Sequence, residues 1–194
     1  MVTMELVKEL RTRTGAGVVD AKQALTEASG DIEQAITWLR KKGKASAAKK
    51  ATRATREGVV ATYIHSNHKV GVMLSLLCET DFVARNEKFK ELARNIALHI
   101  AAADPLVVRP EDVPAETVEA ERSLALEQAK AGGKPANIQE KIVEGKIKTF
   151  REEQSLLTQA YVKDPKRTVG DIIHEAVSEL GENISVGEFK RLII

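Results

Sequence analysis

The sequence predicts an α+β fold. A small N-terminal three-helix domain is followed by a helical linker. A core then follows, with a three-stranded antiparallel sheet, helices on one face and an αα-hairpin. Two observations predict this. Apolar residues recur with a period near 3.6 up to residue 42, switch to a period of 2 at Gly58, and return to 3.6 after Asn86. Alternation then reappears in the last dozen residues, so the order after the linker reads β-β-α-α-α-α-β.

The first helix carries Leu6, Val7 and Leu10 on one face and stops at Thr14-Gly15-Ala16-Gly17, where two glycines free the backbone to turn. The second carries Val18, Val19, Ala21, Leu25 and Ala28 and ends at Ser29-Gly30. Asp31 caps the third, with Gln34 three residues on in capping-box position, and Ile32, Ala35, Ile36 and Leu39 form its stripe. Gly43 is the expected end of that helix. About 40 residues is close to the lower limit for a free-standing core, so residues 1–42 read as a docking module.

Residues 43–57 read as a basic, Ala-rich linker with no large apolar anchor. Residues 40–56 hold eight Lys or Arg and no acid, which leaves 22 basic against 28 acidic residues elsewhere, a net −6. Phosphate contacts are open to such a segment. No aromatic interleaves with these cations, however, so base stacking has no platform and direct RNA binding is not expected.

Residues 58–194 form the core and the expected dimerisation module. Val59, Ala61 and Tyr63 alternate with Val60, Thr62 and Ile64, and Ser66-Asn67-His68-Lys69 makes a turn. In the next strand Val70, Val72, Leu74, Leu76 and Cys78 form an apolar face, and the opposite face is half apolar. The strand runs into Glu79-Thr80-Asp81-Phe82-Val83-Ala84-Arg85-Asn86, a strand-to-helix corner. The chain has four Phe, and one stands at this corner. Two readings of it are open. Phe82 plugs the core where strand meets helix, or Asp81 and Phe82 form a wedge that acts on another protein.

Asn86 caps a helix bearing Phe89, Leu92, Ala93, Ile96, Ala97 and Ile100, which ends at Asp104-Pro105. Helices over 115–131 and 136–153 make the αα-hairpin, broken by Gly132-Gly133 and reopened by Pro135. Residues 156–162 read as irregular, with a turn at Asp164-Pro165. A helix starting at Thr168 or Asp171 ends at Gly181, and the last strand changes phase near Gly187. So small a sheet leaves apolar area uncovered, and a homodimer would cover it.

Chemistry is sparse. The Lys of each Gly-Lys pair (43–44, 133–134, 145–146) lacks the glycine six residues earlier that a phosphate loop requires. Four His and one Cys are too few and too scattered for structural zinc. His99 is expected to pack within its helix environment and His174 to lie at a helix surface. No Ser, His and acid constellation stands out. Neither an enzyme nor a cofactor is expected. No stretch approaches about 18 apolar residues and no secretory leader is apparent. The lone Cys78 has no intramolecular partner, which points to a reducing, cytoplasmic setting.

Three segments resemble bacterial translation elongation factor Ts: Leu6-Val7-Lys8-Glu9-Leu10-Arg11 with Thr14-Gly15-Ala16-Gly17-Val18-Val19-Asp20-Ala21-Lys22-Gln23-Ala24-Leu25; Val70-Gly71-Val72 with Cys78-Glu79-Thr80-Asp81-Phe82-Val83-Ala84-Arg85-Asn86; and Gly181-Glu182-Asn183-Ile184. The likeness runs essentially end to end and is to the short form with one core module. It implies a guanine-nucleotide exchange factor in protein biosynthesis, acting on elongation factor Tu as a homodimer. It implies that residues 1–42 are similar to a ubiquitin-associated domain, that Val18, Val19 and Lys22 lie near its contact with the GTPase domain, and that His65 meets another domain of the GTPase. It implies that Thr80, Asp81, Phe82 and Val83 enter the nucleotide side and dislodge its magnesium ion. Val18-Val19 stands where relatives often carry Met. Gln159-Ala160-Tyr161 departs from the family's Gln-Pro-Phe, which puts the chain path near residue 160 in question.

Overall fold

A computed structural model describes residues 2–132 and 135–194. The chain divides into two compact units: residues 1–61, 75–93 and 171–186 form one, and residues 62–74, 94–170 and 187–194 the other. The strands of the main sheet each contribute residues to both.

The first unit opens with α1 (Met4–Thr14), α2 (Val18–Glu27) and α3 (Ile32–Lys50). Thr3 caps α1 by accepting from the Leu6 amide, and Asp31 caps α3 by accepting from the Gln34 amide at 2.9 Å. Gly15 leaves α1 in the left-handed region at φ 69°, and the α2–α3 turn passes through positive φ at Ser29 and Gly30. Val7, Leu10, Ala21, Ala24, Leu25, Ala28 and Ala35 make the core of this three-helix unit. The small residues let the helices close tightly around two leucines.

The third helix does not end at Gly43. It continues through the basic segment to Lys50, where it lies beside α8 (Val169–Leu180). A side chain at Gly43 would meet the His174 carbonyl at 3.8 Å and Ser178 Cβ at 4.0 Å, and Ala47 is buried one turn on. Both are ordinary van der Waals distances, so an alanine would fit here, and the glycine costs the helix about 1 kcal/mol relative to it. Lys44 pairs with Asp171 at 2.8 Å, and the Lys50 ammonium donates to the Val177 carbonyl. Small residues and lysine heads, rather than large apolar side chains, hold this stretch in place.

The main sheet has the order β1-β2-β5, from Glu57–Ile64, Val70–Cys78 and Ile184–Ile193. The His65 amide donates to the Val70 carbonyl at the hairpin turn, and the Ile194 amide donates to Lys69, so both neighbours run antiparallel to β2. Gly58 lies so close to β2 that a Cβ there would be 2.2 Å from the Leu76 carbonyl. Val72, Leu74, Leu76 and Cys78 are buried, whereas Met73 on the other face is exposed. In β5 the sheltered positions shift from Ile184 and Val186 to Phe189 and Arg191, the expected change of phase.

Between the strands, α4 (Asp81–Arg85) is a separate short helix before α5 (Glu87–Ala103). In the second unit α6 (Ala115–Ala131) and α7 (Ala136–Glu153) form the αα-hairpin around Val118, Ala125, Ala129, Val143 and Ile147. Gly132 closes α6, while Gly133 and Lys134, named in the expected break and in one Gly-Lys pair, lie outside the described residues. The expected turn at Asp164-Pro165 is instead the start of a strand. Ala160–Tyr161 (β3) and Asp164–Thr168 (β4) pair antiparallel as a second, two-stranded sheet. So short a pair gives a weak alternation signal, and Pro165 is tolerated because its ladder has a free edge.

His99 is fully buried in the second unit. Its Nε2 lies 3.0 Å from Gln159 Oε1, and its Nδ1 accepts from the Val162 amide at 3.2 Å. The Gln159 amide nitrogen donates to the Ala103 and Glu153 carbonyls, so its oxygen faces the imidazole and the proton is on Nε2. Burial pushes the His99 pKa down. His174, expected at a surface, is half-buried, and burial lowers its pKa as well.

Candidate functional site

The corner after β2 is built by backbone donors that have nowhere else to bond. The strand ladder ends at Cys78, and the first amides of α4 have no intrahelical partner. Thr80 stands at the N-cap in an extended conformation (φ −129°, ψ 158°), yet its hydroxyl makes no capping bond. That hydroxyl donates instead to Glu182 Oε1 at 2.6 Å. The other oxygen of Glu182 accepts from the Thr80 amide at 3.0 Å and the Glu79 amide at 3.1 Å. One carboxylate thus satisfies three donors of the corner.

The relation is reciprocal. Glu79 Oε1 accepts from the Asn183 amide at 2.6 Å, with Arg53 Nη1 at 3.4 Å from the same oxygen. The Asn183 side chain donates to the Arg53 carbonyl at 2.8 Å. Gly181, at φ 81°, makes the left-handed turn that ends α8 and aims Glu182 at the corner. Cys78 donates its thiol to the Thr80 carbonyl. Burial, and next the charge of Glu182, push its pKa up to about 11, so it stays a protonated thiol.

On this frame Val83 and Ala84 turn inward, with Val83 only 8% exposed, and they anchor α4. Phe82 points to water and is 83% exposed. The core-plug reading of Phe82 is therefore wrong, because the neighbouring Val83 fills that role. Asp81 is partly exposed and pairs with Arg85 at 3.0 Å across one helical turn. Such a pair, open to solvent, contributes well under about 1 kcal/mol, which leaves Asp81 available to other cations.

The second group lies at the start of α2. Its core positions are Ala21, Ala24, Leu25 and Ala28; Val19 and Lys22 fall outside that stripe, Val18 extends it into the first turn, and all three are exposed. Val19 is 78% exposed, although the sequence alone places it among the apolar residues of the helix. Lys42 from α3 bonds both Asp20 and Gln23 at 2.8 Å and steadies this turn. His65 belongs to the second unit, at the end of β1, where its exposed ring shares a hydrogen bond with the Tyr63 hydroxyl at 3.1 Å.

The expected residues thus fall into three places: the corner, the α2 surface and the hairpin turn. Sequence reasoning missed Glu79, Glu182, Asn183 and Arg53 as the corner's supports. Glu79 and the Gly-Glu-Asn triplet stood within the resembling segments, but no local spacing reveals that Glu79 bonds Glu182 and Asn183 across 103 and 104 residues. Among the described residues no three His, Cys, Asp or Glu side chains come together as metal ligands, and no helix is long and apolar enough to cross a membrane.

The family model described as elongation factor TS matches residues 3–193. The chain is 53% identical over 190 residues to elongation factor Ts of Oleidesulfovibrio alaskensis, covering 98% of this chain and 96% of that protein. It is 52% identical to that of Thermosipho melanesiensis, covering 100% and 99%. To that of Geobacter sulfurreducens it is 51% identical, covering 100% and 89%. A match of this extent, over chains of nearly the same length, places the protein in the elongation factor Ts family.

Proposed function

We propose that this protein is the guanine-nucleotide exchange factor for elongation factor Tu. On this reading it binds the GDP-loaded GTPase in the cytoplasm and promotes GDP release and GTP loading by disturbing the phosphate and magnesium site. The observation that carries the reading is Phe82, an aromatic side chain 83% exposed on a corner held by four charge-assisted bonds to two carboxylates. A large apolar group held out in water on a rigid support is poorly explained by stability. It suits an interface anchor.

Exchange requires more than tight binding. The factor must favour the nucleotide-free GTPase over the loaded one, because only differential affinity shifts an equilibrium. Phe82 inserted between elements of the GTPase would displace the groups that order phosphate and magnesium. Asp81 would bring a competing carboxylate. Val83 supports the wedge from within. Val18, Val19 and Lys22 supply an apolar and cationic docking surface on the N-terminal domain, and His65 a further contact.

We also propose a homodimer. Residue 64 lies opposite residue 71 across the hairpin, with Ile64 Cδ1 3.1 Å from where a Gly71 Cβ would be. Ile64 and Met73 therefore share one face of the sheet, and both are exposed, as is Leu192 of β5. A second copy stacked on that face would cover them.

Release of fluorescent GDP from elongation factor Tu, with and without the protein, tests the exchange reading. Acceleration is expected. An unchanged rate would leave the protein a passive binding module. Sedimentation tests the dimer, and a monomer at tens of micromolar would rule it out.

A further inference from the structure

We infer that Glu182 is a positioning residue for the exchange reaction: its carboxylate sets the posture of the 79–83 corner and thereby holds Phe82 outward. This rests on the exchange reading above. Five observations carry it. Glu182 takes three donors of the corner, at 2.6, 3.0 and 3.1 Å. The Thr80 hydroxyl, which would ordinarily cap α4, is turned away from the helix to reach it. Glu79 repays the contact through the Asn183 amide, so the two chain corners cap one another. Asn183 also holds the carbonyl of Arg53, on the segment that leaves α3. Finally, α4 is only five residues long and too short to be stable by itself, so its direction is set from outside.

Directional bonds to a charged acceptor are shorter and stronger than neutral ones. Three of them converging from two consecutive residues fix the 78–79 and 79–80 peptide planes, and the Cys78 thiol, donating to the Thr80 carbonyl, holds the plane before Asp81. Phe82 follows two residues after Thr80 and inherits that orientation. Glu182 itself touches no partner in this scheme and acts only through the corner.

The test compares Glu182→Ala, Glu182→Gln and Thr80→Val by hydrogen exchange and by GDP release from elongation factor Tu, resolved into kcat and KM. Glu182→Ala should speed amide exchange in the peptide spanning residues 79–80 about tenfold or more, since three bonds to a charge are lost. It should lower kcat about tenfold while KM for the GDP-loaded GTPase stays within about twofold, because α2 docking is untouched. Glu182→Gln should restore both readouts to within about threefold. Its amide oxygen still accepts the two backbone donors, and its nitrogen donates to the Thr80 hydroxyl. If Glu182→Ala does not fold, Thr80→Val removes one of the three bonds alone and should show the same pattern to a lesser degree.

Unchanged amide exchange in the variants would overturn the inference. So would faster exchange with unaltered kcat, or a glutamine as impaired as the alanine. If the unmodified protein fails to release GDP at all, the exchange reading falls, and the positioning role with it. The amide measurement would then still decide whether Glu182 orders the corner.

Discussion

Two consecutive helices, α4 and α5, are held in place by opposite means. The longer, α5, is 17 residues and buries Phe89, Leu92, Ala93, Ile96, Ala97 and Ile100 along one stripe. Its stability comes from apolar area removed from water, which is large but indifferent to direction. The shorter, α4, is five residues, buries Val83 and Ala84, and takes its orientation from bonds to Glu182. Phe82 and Phe89 stand seven residues apart, one 83% and the other 0% exposed. The same residue type is thus buried in one helix and held out in water in the next. Burial settles how firmly an element is held, and directional bonding settles where a side chain points.

The sharpest way to break this comparison is to truncate both aromatics. Phe89→Ala should cost about 3–5 kcal/mol of stability, the usual loss for a core aromatic, read as a fall in the denaturation midpoint. Phe82→Ala should leave the midpoint within about 0.5 kcal/mol and slow GDP release from elongation factor Tu about 30-fold, the rate equivalent of about 2 kcal/mol lost from an interface anchor. A Phe82→Ala protein that unfolds would place Phe82 in the core after all.

Acid provides a milder probe that separates neutral from charged networks. His99 is held neutral by bonds that protonation of Nδ1 would break, and burial lowers its pKa and that of His174. The unfolded chain therefore binds protons more readily than the folded one below the ordinary imidazole pKa of about 6.5. Stability should be constant above that pH and fall as pH drops through it toward the lowered folded values. Urea midpoints from pH 8 to 5 check this. His99→Gln should make the profile shallower, leaving the part that His174 contributes. A flat profile in the unmodified protein would contradict the neutral, buried assignment.

The smallest expected effect is a control. Gly145 is in the exposed middle of α7, with nothing within 4 Å of where an alanine methyl would stand. Gly145→Ala should add about 0.5–1 kcal/mol of stability and leave GDP release unaltered. A change in release would mean that global stability, rather than the corner, governs exchange.

Much of this molecule is legible from local pattern, and particular elements say why. The bounds of α6 and α7 follow from Pro114, Gly132 and Pro135 with an apolar stripe between them, since caps and breakers act within a turn or two. The β1–β2 hairpin follows from period-2 alternation around a polar turn. Gly43 misled because a helix-ending residue and a helix-contact residue look alike until α8 is set beside it. The pair β3 and β4 was missed because two to five residues carry too few alternations to register.

The sequence by itself determined the order of the longer elements, the two classes of period, the three family-like segments and the placement of an aromatic at a corner. These are properties of neighbours along the chain. Only the tertiary structure decided that Phe82 faces water while Val83 faces inward, that Glu182 meets Thr80 across 102 residues, and that α3 runs on past Gly43. Each of these depends on what a distant segment brings to the same place. A corner pattern reads identically whether its aromatic is covered or exposed, and a carboxylate's partners are chosen in space rather than along the chain.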